Sequence, residues 1–164
     1  MELKNTQRIA APRDAVWDAL NDEDVLRRCI PGCETIERLS PTELQAKVVL
    51  KVGPIKATFA ARVTLEELDP PNGCRIVGEG SGGVAGQARG SAVVRLAEEE
   101  GETVLDYAVK ADVSGKLAQL GSRLIDATAR KLAAEFFAKF GAAVAPADTA
   151  DADADAGAGA GAAP

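Results

Sequence analysis

Residues 116–140 read KLAQLGSRLIDATARKLAAEFFAKF, and this stretch decides the fold. It contains no proline and a single glycine, and its apolar residues recur every three or four positions, which predicts one long amphipathic α-helix. At 1.5 Å per residue the helix is about 37 Å long, enough to cross a whole domain. The apolar stripe runs from Leu117 to Phe140. The opposite, polar side is predicted to carry Arg123, Asp126, Arg130 and Lys139.

In the sequence before this helix, apolar residues recur at every second position. Residues 33–113 alternate apolar and polar side chains between short Gly and Pro turns, which predicts about six antiparallel strands with one dry face. A first strand is expected over residues 2–10, followed by two short helices over 13–20 and 23–28. Because a sheet that is dry on one face has to be covered, we expect an α+β fold, in which a curved antiparallel sheet wraps around the long C-terminal helix.

Composition divides the chain into two parts. It has 164 residues and a formal net charge of −6, but residues 142–164 hold 12 Ala, 4 Asp, 3 Gly and 2 Pro and only one large apolar residue, Val144. Such a segment cannot build a core. We therefore predict one folded, ligand-binding domain over residues 1–141 and a disordered, acidic Ala/Asp/Gly-rich tail over 142–164.

Several function classes are excluded by residue type. The chain has no histidine, which rules out a Ser-His-Asp triad, a Cys-His dyad and a histidine zinc site within it. The mild negative charge argues against a nucleic-acid partner. No apolar run is long enough to span a bilayer, and the polar first residues do not form a secretory signal. Three cysteines then indicate reduced thiols and a cytoplasmic location, with no metal site.

The inward-facing strand positions are unusually small, and they point to a cavity. Alanine and glycine dominate them, so a helix at the usual distance leaves unfilled space. Either the helix packs more closely, or the space belongs to a small apolar ligand. The aromatic residues at the end of the helix would close one end of that space. Our candidate ligand-binding residues are Leu26, Ile30, Phe59, Ala61, Gly80, Tyr107, Val109, Leu117, Leu120, Leu124, Ile125 and Thr128.

Two hydroxyl groups in this set have alternative interpretations. Tyr107 lies on the apolar phase of its strand, and its hydroxyl either bonds a backbone carbonyl or touches the polar head of a ligand. The Thr128 hydroxyl has the same two interpretations, and a hydrogen bond to a carbonyl of its own helix is the favoured one. The glycine-rich segment 78–83 is followed by another strand, which favours a flexible hairpin loop, or a mobile gate over a ligand, rather than a dinucleotide site.

Several short segments of the sequence resemble those of a known family. Residues 11–20, APRDAVWDAL, resemble the first helix of the helix-grip superfamily, which includes START domains and the birch-pollen allergen (SRPBCC proteins). Three further segments resemble one family more specifically. They are IPGC at 30–33, KVGPI at 51–55 and GKLAQLGSRLI at 115–125, followed by Phe136-Phe137. Together, over residues 1–141, they resemble the G subunit of carbon monoxide dehydrogenase.

The resemblance implies a non-catalytic accessory protein. Its partners would be the molybdenum, iron–sulfur and flavin subunits of an aerobic carbon monoxide dehydrogenase, and it would attach transiently to the inner face of the cell membrane. The superfamily pocket suggests a bound quinone, menaquinone or ubiquinone, with no covalent cofactor. The acidic tail would be repelled by anionic lipid, which leaves Lys116, Leu117 and Leu120 as candidates for membrane contact.

Two other functions remain open on the sequence. The chain is alternatively an assembly or docking factor for the dehydrogenase with a vestigial pocket. It is otherwise an enzyme like the helix-grip cyclases, for which Tyr107 is the only evident acid or base.

Overall fold

The architecture predicted from the sequence is confirmed in a computed structural model that describes residues 1–145. The predicted tail lies, from residue 146 onward, outside the described residues. The strands are β1 (Glu2–Ile9), β2 (Cys33–Ser40), β3 (Glu43–Val52), β4 (Ile55–Asp69), β5 (Gly73–Ser81), β6 (Gln87–Glu99) and β7 (Glu102–Ser114). The α-helices are α1 (Arg13–Leu20), α2 (Glu23–Cys29) and α3 (Ser122–Val144). Single turns of 3₁₀ helix span Gly83–Ala85 and Gly115–Leu120.

All seven strands belong to one antiparallel sheet in the order β1-β7-β6-β5-β4-β3-β2. Strands β2 to β7 follow one another as hairpins, and β1 pairs with β7 at the opposite edge from β2. The helices α1 and α2 connect the two edges of the sheet, and α3 lies on its inner face. This is the predicted α+β helix-grip arrangement.

The long helix begins later than predicted. Residues 115–120 form a 3₁₀ turn, and α3 starts at Ser122. The reason is backbone geometry: Gly115 and Gly121 have φ angles of +79° and +91°, which a right-handed helix does not allow. At its other end α3 continues past Phe140 to Val144. Leu117, expected on the helix, is instead buried under the 3₁₀ turn, with 5% of its surface exposed.

The predicted polar side of the helix is wrong for Asp126. At 3.6 residues per turn, Asp126 lies only about 40° from Phe140 around the helix axis, on the side that faces the sheet. Arg123, Arg130 and Lys139 are exposed, as expected, whereas Asp126 is half-buried. The expectation failed because the stripe of apolar residues spaced by four drifts by about 40° at each step, so it winds around the helix.

The buried side chains form two separate clusters. The first, which we call the aromatic core, contains Leu105, Tyr107 and Phe140 and lies between β1, β6, β7, α1 and the C-terminal half of α3. The second, which we call the hairpin core, consists of Val52, Phe59, Ala85 and Leu117, with neighbours that include Leu120. The hairpin core lies at the turn between β3 and β4. The two clusters share no residue, so the interior is divided.

A buried threonine ties β7 to the segment between β1 and α1. The Thr103 side chain is fully buried and donates a hydrogen bond of 2.8 Å from Oγ1 to the carbonyl of Ala11. Thr103→Val keeps the shape and leaves that carbonyl unpaired, so we expect the free energy of unfolding to fall by about 1–2 kcal/mol in urea denaturation. The exposed Thr58→Val is the control, expected within about 0.5 kcal/mol of the wild type. An equal effect of both variants would contradict this assignment.

Candidate functional site

The aromatic core and the hairpin core are separate groups of buried side chains that share no residue. The inner face of the sheet carries one continuous row of small residues, Ala46, Ala61, Gly80 and Ala88, which are direct neighbours on β3, β4, β5 and β6. All four are half-buried rather than buried, although they face the helix. We name the space between this row and α3 the central cleft.

The geometry at Gly80 shows how much room the cleft has. A Cβ atom built on Gly80 would meet its nearest neighbours at 3.7 Å and 3.8 Å, which is ordinary contact distance. The backbone there is not in the left-handed region, so nothing in the local conformation requires glycine. A side chain therefore fits at this position without a clash at its Cβ atom.

The long helix comes closest to the sheet near the two sheet edges. Close approaches between the backbones of α3 and the sheet concentrate on β1 and β3, near the two edges, rather than on the central strands. At its N-terminal end α3 is held by the hairpin between β3 and β4, where Leu124 comes within 2.8 Å of the Cβ position of Gly53. The closest backbone approaches of α3 to the sheet are thus near its two edges.

The twelve predicted ligand-binding residues fall into several groups in the structure. Two of them, Tyr107 and Val109, belong to the aromatic core or pack on it, and three, Phe59, Leu117 and Leu120, belong to the hairpin core or pack on it. Ala61 and Gly80 on the sheet and Leu124, Ile125 and Thr128 on α3 belong to neither core and are all half-buried. Leu26 and Ile30, on α2 and at its C-terminal end, are half-buried as well.

The two hydroxyl-bearing residues differ in their surroundings. Thr128 donates a 2.9 Å hydrogen bond to the carbonyl of Leu124, so its hydroxyl is bound to its own helix, which was the favoured interpretation. Tyr107 lies in the aromatic core, where its ring stacks on Phe137 with a centroid distance of 5.2 Å. Phe136 packs edge-on against Phe137 and stacks on Phe140. These contacts join Tyr107 and the three phenylalanines of α3 into one aromatic group.

One polar group in the interior was missed by the sequence analysis. Asp126 faces the sheet from α3, and its Oδ1 atom is buried without a hydrogen-bond partner among residues 1–145. No cation of that part of the chain lies within ion-pairing distance of it, although Arg123 and Arg130 are three and four positions away. A helical wheel centred on Phe140 would have placed Asp126 on the inward side of α3, whereas following every fourth residue did not.

The sheet carries two open grooves on its outer face, opposite the central cleft. Their volumes are about 550 and 740 Å³. Both are lined by the same cross-strand row, Arg62, Glu79, Arg89 and Asp112, in which the charges alternate in sign. The outward phase of the strand pattern contained this row, but the sequence could not show that the sheet curves enough to make grooves there.

One end of the molecule is rich in cations. Lys51 and Lys56 face each other across the β3–β4 hairpin, Lys116 lies on the adjacent 3₁₀ turn and Arg123 on the first turn of α3, and all four are exposed. We call these four residues the cationic end. No Asp or Glu occurs in residues 50–61, 80–93 or 113–125, which build it. Val84, on a loop at this end, is 88% exposed. Within residues 1–145, no helix is long and apolar enough to cross a membrane.

The three cysteines are free thiols. Burial raises the pKa of Cys29, Cys33 and Cys74, against a smaller lowering by nearby arginines. Within the described residues, no group of three or more Cys, Asp or Glu side chains is arranged to hold a metal ion.

Because the thiolate is the reactive form, we expect slow alkylation at pH 7 and faster alkylation above pH 9. Cys33 is the most exposed of the three thiols and should react first with maleimide, which peptide mapping by mass spectrometry will show. Earlier labelling of Cys29, which is 1% exposed, would contradict the burial described here.

Comparison with known proteins agrees with this geometry. The family model for the G subunit of carbon monoxide dehydrogenase (CoxG) matches residues 6–145. A conserved protein from Geobacillus kaustophilus is 25% identical, with a TM-score of 0.83 over 88% of this chain and 95% of its own. No curated protein matches the sequence significantly.

Two further solved structures share the fold at lower identity. A START superfamily protein from Mycobacterium smegmatis is 11% identical, with a TM-score of 0.67 over 87% of this chain and 96% of its own. The ZhuI aromatase/cyclase from Streptomyces sp. R1128 is 16% identical, with a TM-score of 0.61 over 96% and 99%. These two likenesses concern the fold alone.

Proposed function

Because the chain belongs to the CoxG family, the G subunits of carbon monoxide dehydrogenase, we propose that it is a non-catalytic accessory protein of an aerobic molybdenum carbon monoxide dehydrogenase. In this proposal it binds an apolar lipid, a quinone such as menaquinone or ubiquinone, in the central cleft. It links the enzyme to the inner face of the membrane and carries the electron acceptor between them. The redox chemistry stays in the enzyme and the quinone, so the chain supplies only binding and positioning.

The observation that carries the proposal is the row of small residues in the central cleft. Ala46, Ala61, Gly80 and Ala88 place no side chain larger than a methyl group on the inner face of four adjacent strands. An empty apolar space of this kind is costly, and an apolar ligand offsets that cost. The walls are aliphatic and aromatic, with Leu124 and Ile125 from α3, which suits a quinone ring and its isoprenoid tail.

Titration with a quinone tests the ligand half of the proposal. The single tryptophan, Trp17, packs against the aromatic core, so its fluorescence reports on ligand near that end of the cleft. We expect saturable quenching by menaquinone or ubiquinone with short isoprenoid tails. The matched comparison is a straight-chain alkane such as decane, which lacks the ring and should bind more weakly. No saturable binding of any quinone would contradict the proposal.

The cationic end supports the membrane half of the proposal. Four exposed cations with no acidic residue in the surrounding segments are attractive to anionic lipid, although the whole chain has a charge of −6. The exposed Val84 adds an apolar group to the same end. Contact of this kind gives reversible adhesion rather than insertion. Of the residues predicted to contact the membrane, Lys116 is available, whereas Leu117 is buried.

Neutralising the cationic end should release the protein from anionic vesicles. Each cation near such a surface contributes about 1 kcal/mol, so the variant with Lys51, Lys56, Lys116 and Arg123 all replaced by Gln should bind at least about 100-fold more weakly. The measurement is cosedimentation with vesicles that contain phosphatidylglycerol. Replacing Lys4, Lys47, Arg62 and Arg89 by Gln changes the net charge equally on the sheet and serves as the control. Equal loss in both variants would show that overall charge, not this end, governs adhesion.

A further inference from the structure

We infer that the carboxylate of Asp126 accepts a hydrogen bond from the head group of the bound lipid, so that the central cleft favours a ligand with a hydroxyl head over one with carbonyl groups alone. This inference rests on the proposed function and adds the chemical form of the ligand. For a quinone carrier it means that the reduced, quinol form binds more tightly than the oxidised form.

The first observation is the position of Asp126. It shares the sheet-facing side of α3 with Ala129, Ala133 and Phe140, about one turn before Ala129. Ala129 and Ala133 pack against the aromatic core, so this side of the helix points into the interior. Asp126 therefore lies beyond the aromatic group, in the N-terminal half of α3, one turn before Ala129.

The second observation is the lack of a partner. The Oδ1 atom is buried, and none of residues 1–145 donates a hydrogen bond to it. A buried carboxylate oxygen without a donor is costly, and a hydrogen-bond donor on a ligand would offset that cost. Arg130, at the i+4 position where a helix commonly forms an ion pair, is exposed.

The chemistry of the group sets the preference. An ionised carboxylate can only accept hydrogen bonds. The hydroxyl groups of a quinol are donors, whereas the carbonyl oxygens of a quinone are acceptors and would repel it. Thr128, the neighbouring polar residue on α3, has its hydroxyl bound to the carbonyl of Leu124. It therefore does not offer the donor that a quinone carbonyl needs.

The test compares both redox forms of one ligand. Ubiquinone-2 and chemically reduced ubiquinol-2 are titrated anaerobically into the full-length protein. We expect the wild type to bind the quinol at least about tenfold more tightly, as for a hydrogen bond to a charged group. Asp126→Asn keeps the shape and adds an N–H donor, so the ratio of the two dissociation constants should fall to about one or reverse. Glu135→Gln, on the exposed side of α3, should leave the ratio unchanged.

The outcomes separate this inference from the proposed function. If the wild type binds both forms equally, or if Asp126→Asn keeps the wild-type ratio, the inference is overturned while quinone binding stands. If neither form binds to the wild type, the proposed function fails and the inference with it. Should Asp126→Asn unfold, the wild-type ratio alone still decides, because the inference requires that it favour the quinol.

Discussion

Phe140→Ala is expected to lower the free energy of unfolding by about 3–5 kcal/mol, the largest loss expected for any single side chain of the aromatic core. Phe140 has no exposed surface and stacks on Phe136 at a centroid distance of 5.5 Å. It lies where α3, α1 and β1 meet in the aromatic core. Removing the ring leaves a cavity that rigid strands on one side and a 23-residue helix on the other cannot fill.

Urea denaturation followed by circular dichroism measures this loss. Phe140→Leu retains much of the volume and should cost less than about 1.5 kcal/mol. Leu68→Ala, at a side chain that is 42% exposed, should stay within about 0.5 kcal/mol of the wild type. A loss of under about 1 kcal/mol for Phe140→Ala would show that α3 is not fixed to the sheet at this end.

Gly80→Leu is expected to abolish ligand binding without unfolding the protein. A side chain at this position projects from β5 into the middle of the central cleft, between Ala61 and Ala88. The backbone conformation permits it, and its Cβ meets only ordinary contacts. The added isobutyl group occupies ligand space, so quinone affinity should fall by at least about tenfold, while leucine fits a strand better than glycine does.

Ser81→Leu provides the matched control. It adds similar bulk one residue later, on the outer face of the same strand, where it cannot reach the cleft. Both variants should unfold near the wild-type denaturant concentration, but only Gly80→Leu should lose quinone binding in fluorescence titration. If Gly80→Leu binds quinone normally, the ligand lies elsewhere. If it loses quinone but still couples the dehydrogenase to membranes, the chain is a docking factor.

The sheet was predictable because its signal is local. Period-two alternation with Gly and Pro turns defines hairpins, and hairpins determine which strands are neighbours, as β3 to β7 show. The covering helix followed because only residues 116–140 had enough apolar surface. The unusual smallness of Ala61 and Gly80 was also visible in the sequence, since strand phase fixes the direction in which they point.

The inward side of α3 and the outer grooves were not predicted, because each depends on small rotations per residue or per strand that add up along the chain. The side of α3 that faces the sheet depends on where the helix begins and on a drift of about 40° for every four residues. Starting the helix six residues early, and following spacings of four from Leu124, assigned Asp126 to solvent. The outer grooves likewise depend on the twist and curvature of the whole sheet, which no single strand encodes.

The separation of the predicted site into three parts has the same origin. Tyr107 and Leu117 both occupy positions that the apolar pattern predicts to face the interior, so the sequence analysis placed them in one site. In the structure they lie in different cores, at opposite ends of the cleft. Strand register explains this, because Tyr107 pairs with Val94 near one end of the hairpin, whereas the 3₁₀ turn that carries Leu117 follows the other end of β7.

The most direct test of the central claim is the identity of the molecule that the protein carries. The full chain is purified under non-denaturing conditions from cells that make quinones, extracted with organic solvent and analysed by mass spectrometry, with Gly80→Leu purified in parallel. The account predicts an isoprenoid quinone or quinol approaching one molecule per wild-type chain and much less with Gly80→Leu. An extract of the wild type with no isoprenoid quinone, or equal amounts from both proteins, would contradict it.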